Sequence, residues 1–309
     1  MSQNNMNKTY VLLSLATIFW GIQPLCIKIL VSSWSPPALT SVRYLLISMI
    51  LFAIIYFKNP ASFKENIIPP KSCWLPLLLM GLTGIAINNV SQFTGLKFST
   101  ITNCTLIAAT GPAITAVVAM IFVKERLKGL QWIGIIISFI GVIFLITKGS
   151  IDILINFSFN PGDILFFTCQ VVWAIYSIIG LKVMKHLSAI TVTAWSGILG
   201  SIEVALYSLL TNQLHYVNLD FIGWSSFAFV VICGGVGSML FWNVGVKNAG
   251  PSMAAVFSNL TPIFGMLCGA IFLSEEIGFM QISGALAIFI GVYITTHSEQ
   301  IRVALQKKS

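Results

Sequence analysis

The segment from Gly84 to Val142 recurs in the second half of the chain at a constant distance of 150 residues, without a gap. Most matched residues are glycine, proline or polar types that shape a backbone or mark helix ends. The matched pairs are Gly84 and Gly234, Gly95 and Gly245, Lys97 and Lys247, Pro112 and Pro262, Glu125 and Glu275, Gln131 and Gln281, Gly134 and Gly284, and the runs 139–142 and 289–292. A period this long indicates a duplicated domain rather than a solenoid.

Composition places this duplicated chain in a lipid bilayer. Of the 309 residues, 57% are apolar and 8% are charged, whereas a soluble domain carries roughly a quarter charged residues. A bilayer core of ~30 Å requires about 20 apolar residues per helix. Ten stretches qualify, at 10–32, 37–57, 73–95, 99–123, 130–147, 162–182, 189–211, 222–246, 252–273 and 279–297. We therefore predict an all-α integral membrane protein with ten transmembrane helices.

The distribution of Lys and Arg predicts the orientation, because short cytoplasmic loops are enriched in these residues. With the N-terminus inside, 13 basic residues fall on the cytoplasmic side and two, Lys97 and Lys148, fall outside. The sequence therefore predicts that both termini are cytoplasmic, in the cytoplasmic (inner or plasma) membrane. The formal net charge of +8 then marks the cytoplasmic face, so no nucleic-acid partner is needed to explain it.

The two copies should run through the membrane in opposite senses, because five spans per copy is an odd number. Lys124-Glu125-Arg126-Leu127-Lys128 carries three basic residues, and its counterpart, residues 274–278, carries none. We predict a first five-helix repeat at 1–148, a linker at 149–161, a second repeat at 162–298 and a cytoplasmic tail at 299–309. Inverted repeats are characteristic of secondary transporters, which bind their solute between the halves near the bilayer midplane.

Polar side chains inside the predicted spans mark the candidate solute cavity. Gly84, Asn88, Gln92 and Gly95 recur at three- and four-residue steps and form one helix face. Trp20 and Trp173 lie too deep for an interfacial aromatic belt. The predicted cavity set is Trp20, Gln23, Asn88, Gln92, Asn103, Gln170, Trp173, Tyr176, Trp242, Asn243, Ser258 and Asn259. The alternative is that glycine and amide side chains only hold helices together.

Two prolines and three charged residues inside the predicted spans are singled out by their position. Pro112 and Pro262 each remove a backbone donor, which produces either a static kink or a gating hinge. Glu203 is the only acidic side chain well inside a span, and it is a candidate for proton coupling or for a structural pair. Lys28 and Arg43 lie in the outer thirds of their spans, where we expect them to extend toward the membrane surface.

Enzyme motifs are missing from the sequence. It contains no GxSxG, HExxH, Walker A or dinucleotide fingerprint. His186, His215 and His297 are scattered at helix ends and are not expected to converge on a metal. The six cysteines show no zinc or redox CxxC spacing. We therefore predict no enzymatic activity, no cofactor and no metal site.

The chain resembles the EamA-type branch of the drug/metabolite transporter superfamily over residues 10–297. The resemblance rests on Phe19-Trp20-Gly21 with Lys28, on Ser41-Val42-Arg43-Tyr44, on Pro112 followed by Glu125-Arg126-Leu127, on Pro262 followed by Glu275-Glu276-Ile277, and on Gly284 with Gly291. In the seventh span, Thr193-Ala194-Trp195 stands where the second span has the Arg-Tyr pair. The resemblance implies two five-span repeats, a central cavity and export or exchange of small polar or amphipathic metabolites.

Together these features predict a secondary transporter that works without ATP, by alternating access. Few charges lie inside the spans, which favours a small neutral or zwitterionic metabolite, such as an amino acid, over a polyanion. Coupling to a proton or a counter-solute stays open, as does the oligomeric state. The alternative function is a non-transporting membrane scaffold or sensor. A lipid-acting enzyme is disfavoured because no acid/base cluster is evident.

Cysteine labelling tests the opposite orientation of the two copies. In a background without the six native cysteines, we expect a membrane-impermeant maleimide added to intact cells to label Glu276→Cys but not Arg126→Cys. The reason is that the two loops should lie on opposite sides of the bilayer. External labelling of Arg126→Cys together with protection of Glu276→Cys would contradict the inverted arrangement.

Overall fold

The computed structural model describes residues 3–58, 60, 63–99, 101–155, 160–273 and 276–306. Regular structure in these residues is helical, apart from one antiparallel bridge between Trp34 and Tyr216. Glu275 and parts of the predicted linker and tail lie outside the described residues. Helices dominate because a bilayer offers no water to satisfy backbone N–H and C=O groups, and a helix satisfies them within one segment.

Ten spans are long and apolar enough to cross a membrane, which confirms the prediction. Spans 1, 2, 5, 6, 7 and 10 are the helices Gln3–Leu30, Pro36–Lys58, Gly129–Thr147, Pro161–Val183, Ala189–Leu210 and Phe279–Thr296. Span 3 comprises Lys71–Cys73, Trp74–Gly81, Leu82–Ile87 and Asn88–Phe98, and span 4 comprises Ile101–Ala108 and Gly111–Val123. Span 8 comprises Phe221–Val231, Ile232–Gly237 and Ser238–Ala249, and span 9 comprises Pro251–Phe257, Ser258–Leu260 and Thr261–Leu273. Outside the spans lie Phe63–Ile67, Ile151–Ile155 and the C-terminal helix Ser298–Gln306.

Spans 1–5 (the first half) and spans 6–10 (the second half) pack through equivalent contacts. Span 1 packs on spans 8 and 9, and the corresponding span 6 packs on spans 3 and 4. Two other large interfaces pair equivalent spans, span 2 with span 7 and span 5 with span 10, and span 7 also packs on span 3. The described contacts therefore form one intertwined bundle.

A π-helical segment interrupts spans 3 and 8 at equivalent positions. The segments are Leu82–Ile87 and Ile232–Gly237, separated by the repeat distance of 150 residues. π-helical turns are rare and occur frequently at functional sites, because they widen the helix and redirect backbone groups. Both segments contain glycines that the opposite half contacts: Tyr176 contacts Gly84, and Gln23 contacts Gly234.

A reciprocal pair of hydrogen bonds joins the residues that directly follow these π-segments to spans 1 and 6. The Ser238 hydroxyl donates to the Ala16 carbonyl at 3.2 Å, and the Asn88 amide donates to the Cys169 carbonyl at 3.1 Å. Ser238 follows Asn88 by 150 residues and Cys169 follows Ala16 by 153 residues. Spans 1 and 6 are thus related by a shift of 153 residues, which makes Trp173 the structural counterpart of Trp20.

Spans 5 and 10 approach each other through glycines. A Cβ added to Gly134 would lie 2.5 Å from the Gly291 carbonyl oxygen, and one added to Gly141 would lie 2.7 Å from the Gly284 carbonyl oxygen. Each glycine thus meets the repeat equivalent of the other, which is the reciprocity of a two-fold interface. In lipid, helices associate by close packing of this kind because apolar burial gives little preference for a neighbouring helix over lipid.

Gly141→Val tests this contact. We expect a lower melting temperature and a loss of about 1–3 kcal/mol of stability, typical of over-packing, because the valine side chain would meet the Gly284 carbonyl and Ile288. Thermal unfolding in detergent measures the change. Gly129→Ala is the control, since nothing lies within 4 Å of a Cβ added there. Equal melting temperatures for Gly141→Val and the wild type would contradict the close glycine contact.

Candidate functional site

Four aromatic residues from both halves meet at the centre of the bundle. Trp20 of span 1 lies with its ring centroid 5.6 Å from that of Trp173 and 5.4 Å from that of Trp242. Trp173 lies 5.3 Å from Trp242 and stacks on Tyr176 at 5.0 Å. Trp242 and Tyr176 are fully buried, whereas Trp20 and Trp173 remain partly exposed. We call Trp20, Trp173, Tyr176 and Trp242 the aromatic cluster.

Hydrogen bonds fix two indoles of the aromatic cluster. The Trp20 indole donates to the Gly234 carbonyl at 3.2 Å, in the π-segment of span 8. The Trp242 indole donates to the Ser177 hydroxyl at 3.1 Å. A buried indole N–H requires such a partner, and these contacts also determine how the rings face one another.

A buried polar network adjoins the aromatic cluster. The Asn243 amide donates to the Tyr176 hydroxyl at 2.8 Å and to the Thr193 hydroxyl at 2.9 Å. Its carbonyl oxygen is buried with no hydrogen-bond partner among the described residues, and the same holds for Oε1 of Gln23. Unpaired acceptors are uncommon in protein interiors and require an explanation.

Three further predicted residues lie beside the aromatic cluster or on spans that contact it. Gln170 is partly exposed and its Oε1 lies 2.7 Å from a Cβ added to Gly111 of span 4. Asn88 uses its amide to bind span 6, as described above. Gln92 is exposed and interacts with the Cys104 thiol. Gln170 thus lies between spans 6 and 4, while Asn88 has a structural bond.

Ser258 and Asn259 form local or structural contacts. The Asn259 amide donates to the Ser138 hydroxyl of span 5 at 2.8 Å, and Asn259 is buried. The Ser258 hydroxyl donates to the Ala255 carbonyl within its own turn. These contacts correspond to the helix-packing alternative stated for amide residues.

Pro112 and Pro262 each occupy the second residue of a new helix. The first follows a turn at 109–110 and the second follows the 3₁₀ segment Ser258–Leu260. The missing proline N–H therefore falls in a first turn, where no intrahelical partner exists. Both spans are broken at equivalent depths, as the sequence indicates, and whether the breaks move stays a prediction.

Asp163 is a fully buried carboxylate that the sequence analysis did not select. Its Oδ1 accepts from the Ser99 hydroxyl at 2.6 Å and from the Asn103 amide at 3.2 Å, which joins spans 3, 4 and 6. Its Oδ2 accepts from the Asn160 backbone N–H at 2.9 Å. Asn160-Pro161-Gly162-Asp163 is a capping box with proline at the helix start, and that pattern could have identified it. Asn103 thus lies in this network.

Arg43 does not extend to the membrane surface, so that expectation was wrong. Its side chain is 5% exposed, its Nε has no hydrogen-bond partner among the described residues, and its guanidinium lies 4.6 Å from the centre of the Tyr44 ring. Packing of span 2 against spans 7 and 8 encloses it. Lys28, by contrast, is exposed.

Glu203 lies against span 3. A Cβ added to Gly81 would be 3.1 Å from its Oε2, which is buried and has no hydrogen-bond partner among the described residues. The carboxylate of Asp163, by contrast, accepts hydrogen bonds from Ser99 and Asn103.

Glu125 connects the loop after span 4 to the start of span 9. Its Oε1 lies 2.8 Å from a Cβ added to Gly250, and the carboxylate interacts with the side chain and backbone of Ser252. Burial raises the pKa of Glu125 above its usual value of 4.5, and Ser252 opposes that shift in part. The position beside a helix N-terminus agrees with a capping role.

Two cavities lie away from the aromatic cluster. One of about 730 Å³ is formed by Lys128, Gly129 and Leu130 at the start of span 5, together with Ser298, Glu299, Arg302 and Gln306 of the C-terminal helix. Lys128 and Glu299 form an exposed ion pair there. The other, of about 270 Å³, lies between span 3 and the end of span 6 and is lined by Ser72, Cys73, Pro76, Leu79, Ile179, Lys182, Val183 and His186. Within the described residues, no group of three or more His, Cys, Asp or Glu could hold a metal ion.

The raised pKa of Glu125 predicts a pH-dependent effect on stability. Because burial makes the pKa of Glu125 higher in the folded protein than in the unfolded chain, this burial lowers the free energy of unfolding only as the pH rises above 4.5. We expect Glu125→Gln to melt at a higher temperature than the wild type at pH 7, with the difference vanishing as the pH falls toward 4.5. Thermal unfolding across this range measures it, with the exposed neighbour Arg126→Gln as control. A difference that does not change with pH would contradict the assignment.

Comparison with known proteins agrees with this architecture. The profile of the EamA-like transporter family matches residues 7–147 and again 160–297. Over 298 residues the chain is 29% identical to "Uncharacterized transporter YyaM" of Bacillus subtilis (strain 168), with 95% of this chain and 94% of the relative covered. An uncharacterized transporter of Archaeoglobus fulgidus is 27% identical, with 94% and 98% covered. "Uncharacterized inner membrane transporter YedA" of Escherichia coli (strain K12) is 23% identical, with 82% and 78% covered.

A solved crystal structure shares the fold. It aligns with a TM-score of 0.77 at 17% identity and covers 94% of this chain and 96% of that chain. The double match of the family profile accounts for the ten spans and their equivalent packing. The chain is a multi-pass membrane protein and belongs to the EamA-like transporter family.

Proposed function

We propose that this transporter moves a small neutral or zwitterionic metabolite, such as an amino acid, by alternating access and without ATP. The direction is export or exchange across the cytoplasmic membrane, with both termini in the cytoplasm. The observation that carries the proposal is the aromatic cluster, which both halves build and which stays partly exposed at Trp20 and Trp173. An exposed indole surface beside unpaired acceptors is suited to a small amphipathic solute.

The charge distribution supports a solute with little net charge. Among the described residues of the spans, the buried charged side chains are those of Arg43 and Asp163, and Arg43 is the cation. Binding a polyanion would require several Lys or Arg side chains. Unpaired amide oxygens of Gln23 and Asn243 can accept hydrogen bonds from an ammonium or amide group.

Reciprocal contacts between the halves support alternating access by inverted repeats. Spans 5 and 10 meet antiparallel, since Gly134 meets Gly291 while Gly141 meets Gly284. The hydrogen bonds from Ser238 to span 1 and from Asn88 to span 6 repeat the same exchange. Two halves joined by equivalent contacts can rock between two arrangements of similar energy about a central site.

Glu203 is the proposed site for proton coupling, if the solute gradient is coupled to protons. Its Oε2 is buried without a partner, whereas the other buried carboxylate, Asp163, accepts hydrogen bonds from Ser99 and Asn103. Because no described donor fixes Glu203 Oε2, a conformational change can carry this carboxyl between a buried and a hydrated position, as proton coupling requires. Glu203→Gln should therefore reduce dependence on a pH gradient.

Transport by purified protein in liposomes tests the proposal. We expect labelled L-amino acids to cross only in protein-containing vesicles and Trp173→Ala to reduce the rate at least tenfold, because the solute loses an aromatic surface. Trp224→Ala is the matched control, since Trp224 is 54% exposed and packs at the bundle periphery on Phe227. Runs with and without a pH gradient, repeated with Glu203→Gln, measure coupling.

The scaffold alternative predicts a different outcome. No labelled amino acid or related metabolite would cross, and Asn88→Ala and Asn259→Ala would change the melting temperature only. That result would reject the transport of these solutes. Loss of transport in Trp173→Ala with an unchanged melting temperature would instead separate solute binding from structural support.

A further inference from the structure

Arg43 is a buried cation without an anionic partner. Its side chain is 5% exposed, its Nε has no hydrogen-bond partner and it forms no ion pair among the described residues. The one specific contact is with the face of the Tyr44 ring, 4.6 Å from the guanidinium carbon. A cation–π contact offsets only part of the free-energy cost of burying a guanidinium, so the charge of Arg43 is not fully compensated.

The position of Arg43 is between the two halves. On span 2, Ser41 and Ser48 belong to the face that contacts span 7, through the Ser201 hydroxyl and Gly197. Arg43 lies with Ile47, one helical turn away, on a different face, and Ile47 contacts Gly235 in the π-segment of span 8. Span 2 also packs on Asn88–Phe98 of span 3. Arg43 therefore lies on the side of span 2 that meets the π-segment.

The described carboxylates of the spans form no ion pair with Arg43. Asp163 accepts from Ser99 and Asn103, and Glu203 lies against Gly81 of span 3. Span 2 itself contains no acidic residue. In a membrane interior an anionic group of the solute is a candidate partner for Arg43.

An unpaired acceptor lies near the same π-segment. Oε1 of Gln23 contacts Gly234, the residue adjacent to Gly235, and has no hydrogen-bond partner among the described residues. Gln23 of span 1 thus contacts Gly234 of span 8. Ile47, one helical turn from Arg43 on span 2, contacts the adjacent Gly235. This pairing is suited to a solute that carries an anionic and a hydrogen-bond-donating group.

We propose that Arg43 binds the carboxylate of the transported solute, which makes that solute a carboxylate-bearing metabolite with one anionic group. The inference rests on the proposed transport function and narrows its substrate class. A guanidinium offers a planar fork of N–H donors that matches a carboxylate in two-point contact, which lysine cannot reproduce. A single cation suits one carboxylate. Tyr44 holds the fork in place through its ring.

Paired solutes test the proposal in liposomes that contain the wild type, Arg43→Gln, Arg43→Lys or Lys28→Gln. The probes are labelled L-amino acids and the same compounds as α-amides, which lack the carboxylate. We expect the wild type to move the acids. Arg43→Gln should move them at least tenfold more slowly, Arg43→Lys should show an intermediate rate, and Lys28→Gln, which changes an exposed intramembrane cation, should match the wild type.

Competition in the wild type provides a test that does not depend on a variant that folds. Unlabelled N-acetyl amino acids, which keep the carboxylate, should inhibit transport of the labelled acids, and the α-amides should not. Equal inhibition by amides and acids would overturn the role of Arg43, as would wild-type rates in a folded Arg43→Gln. A structural role alone would slow every solute in parallel with a lower melting temperature.

The outcomes separate this inference from the proposed function. A wild type that moves the amides but not the acids overturns the carboxylate assignment and leaves transport standing. A wild type that moves neither set overturns the proposed amino-acid transport and the assignment with it. Loss of acid transport alone in Arg43→Gln, at an unchanged melting temperature, supports both.

Discussion

Close approach of helix backbones in lipid is the constraint on which the rest of this structure depends. Apolar side chains gain little by leaving lipid for a neighbouring helix, so association relies on tight packing and interhelical hydrogen bonds. Glycines supply the packing, as where Gly134 and Gly141 meet the carbonyls of Gly291 and Gly284. Several of these contacts have an equivalent in the other half, as where Gly134 meets Gly291 and Gly141 meets Gly284.

The same packing leaves the centre of the bundle incompletely satisfied. The indole N–H of Trp20 donates to span 8 and that of Trp242 donates to span 6, and these hydrogen bonds fix the position of the aromatic cluster. The amide oxygen of Asn243 and the Nε of Arg43 lack hydrogen-bond partners among the described residues. A fold kept only for stability would pair or remove such groups. We propose that a solute supplies the missing partners.

Prediction from the sequence worked where the signal is local and failed where it depends on neighbours. Ten apolar stretches and the breaks at Pro112 and Pro262 follow from hydropathy and backbone chemistry, and the structure places helices accordingly. Trp20 and Trp173 were selected from their depth and do meet at the centre. The expectation for Arg43 was wrong because a residue in the outer third of a span can be either exposed or buried. Packing of span 2 on spans 7 and 8 buries it.

The sequence by itself determined the membrane class, the number of spans and the duplication. These follow from the length of the apolar stretches and from identical residues at a constant distance, and neither depends on contacts between distant residues. Only the tertiary structure decided which polar side chains are shared structural bonds and which remain unpaired. Asn259 is paired with Ser138 and Asn103 with Asp163, while Gln23 Oε1 and Arg43 Nε have no hydrogen-bond partner among the described residues. The physical reason is that satisfaction of a polar atom depends on the direction and distance of groups far away in the chain, which helix periodicity alone does not specify.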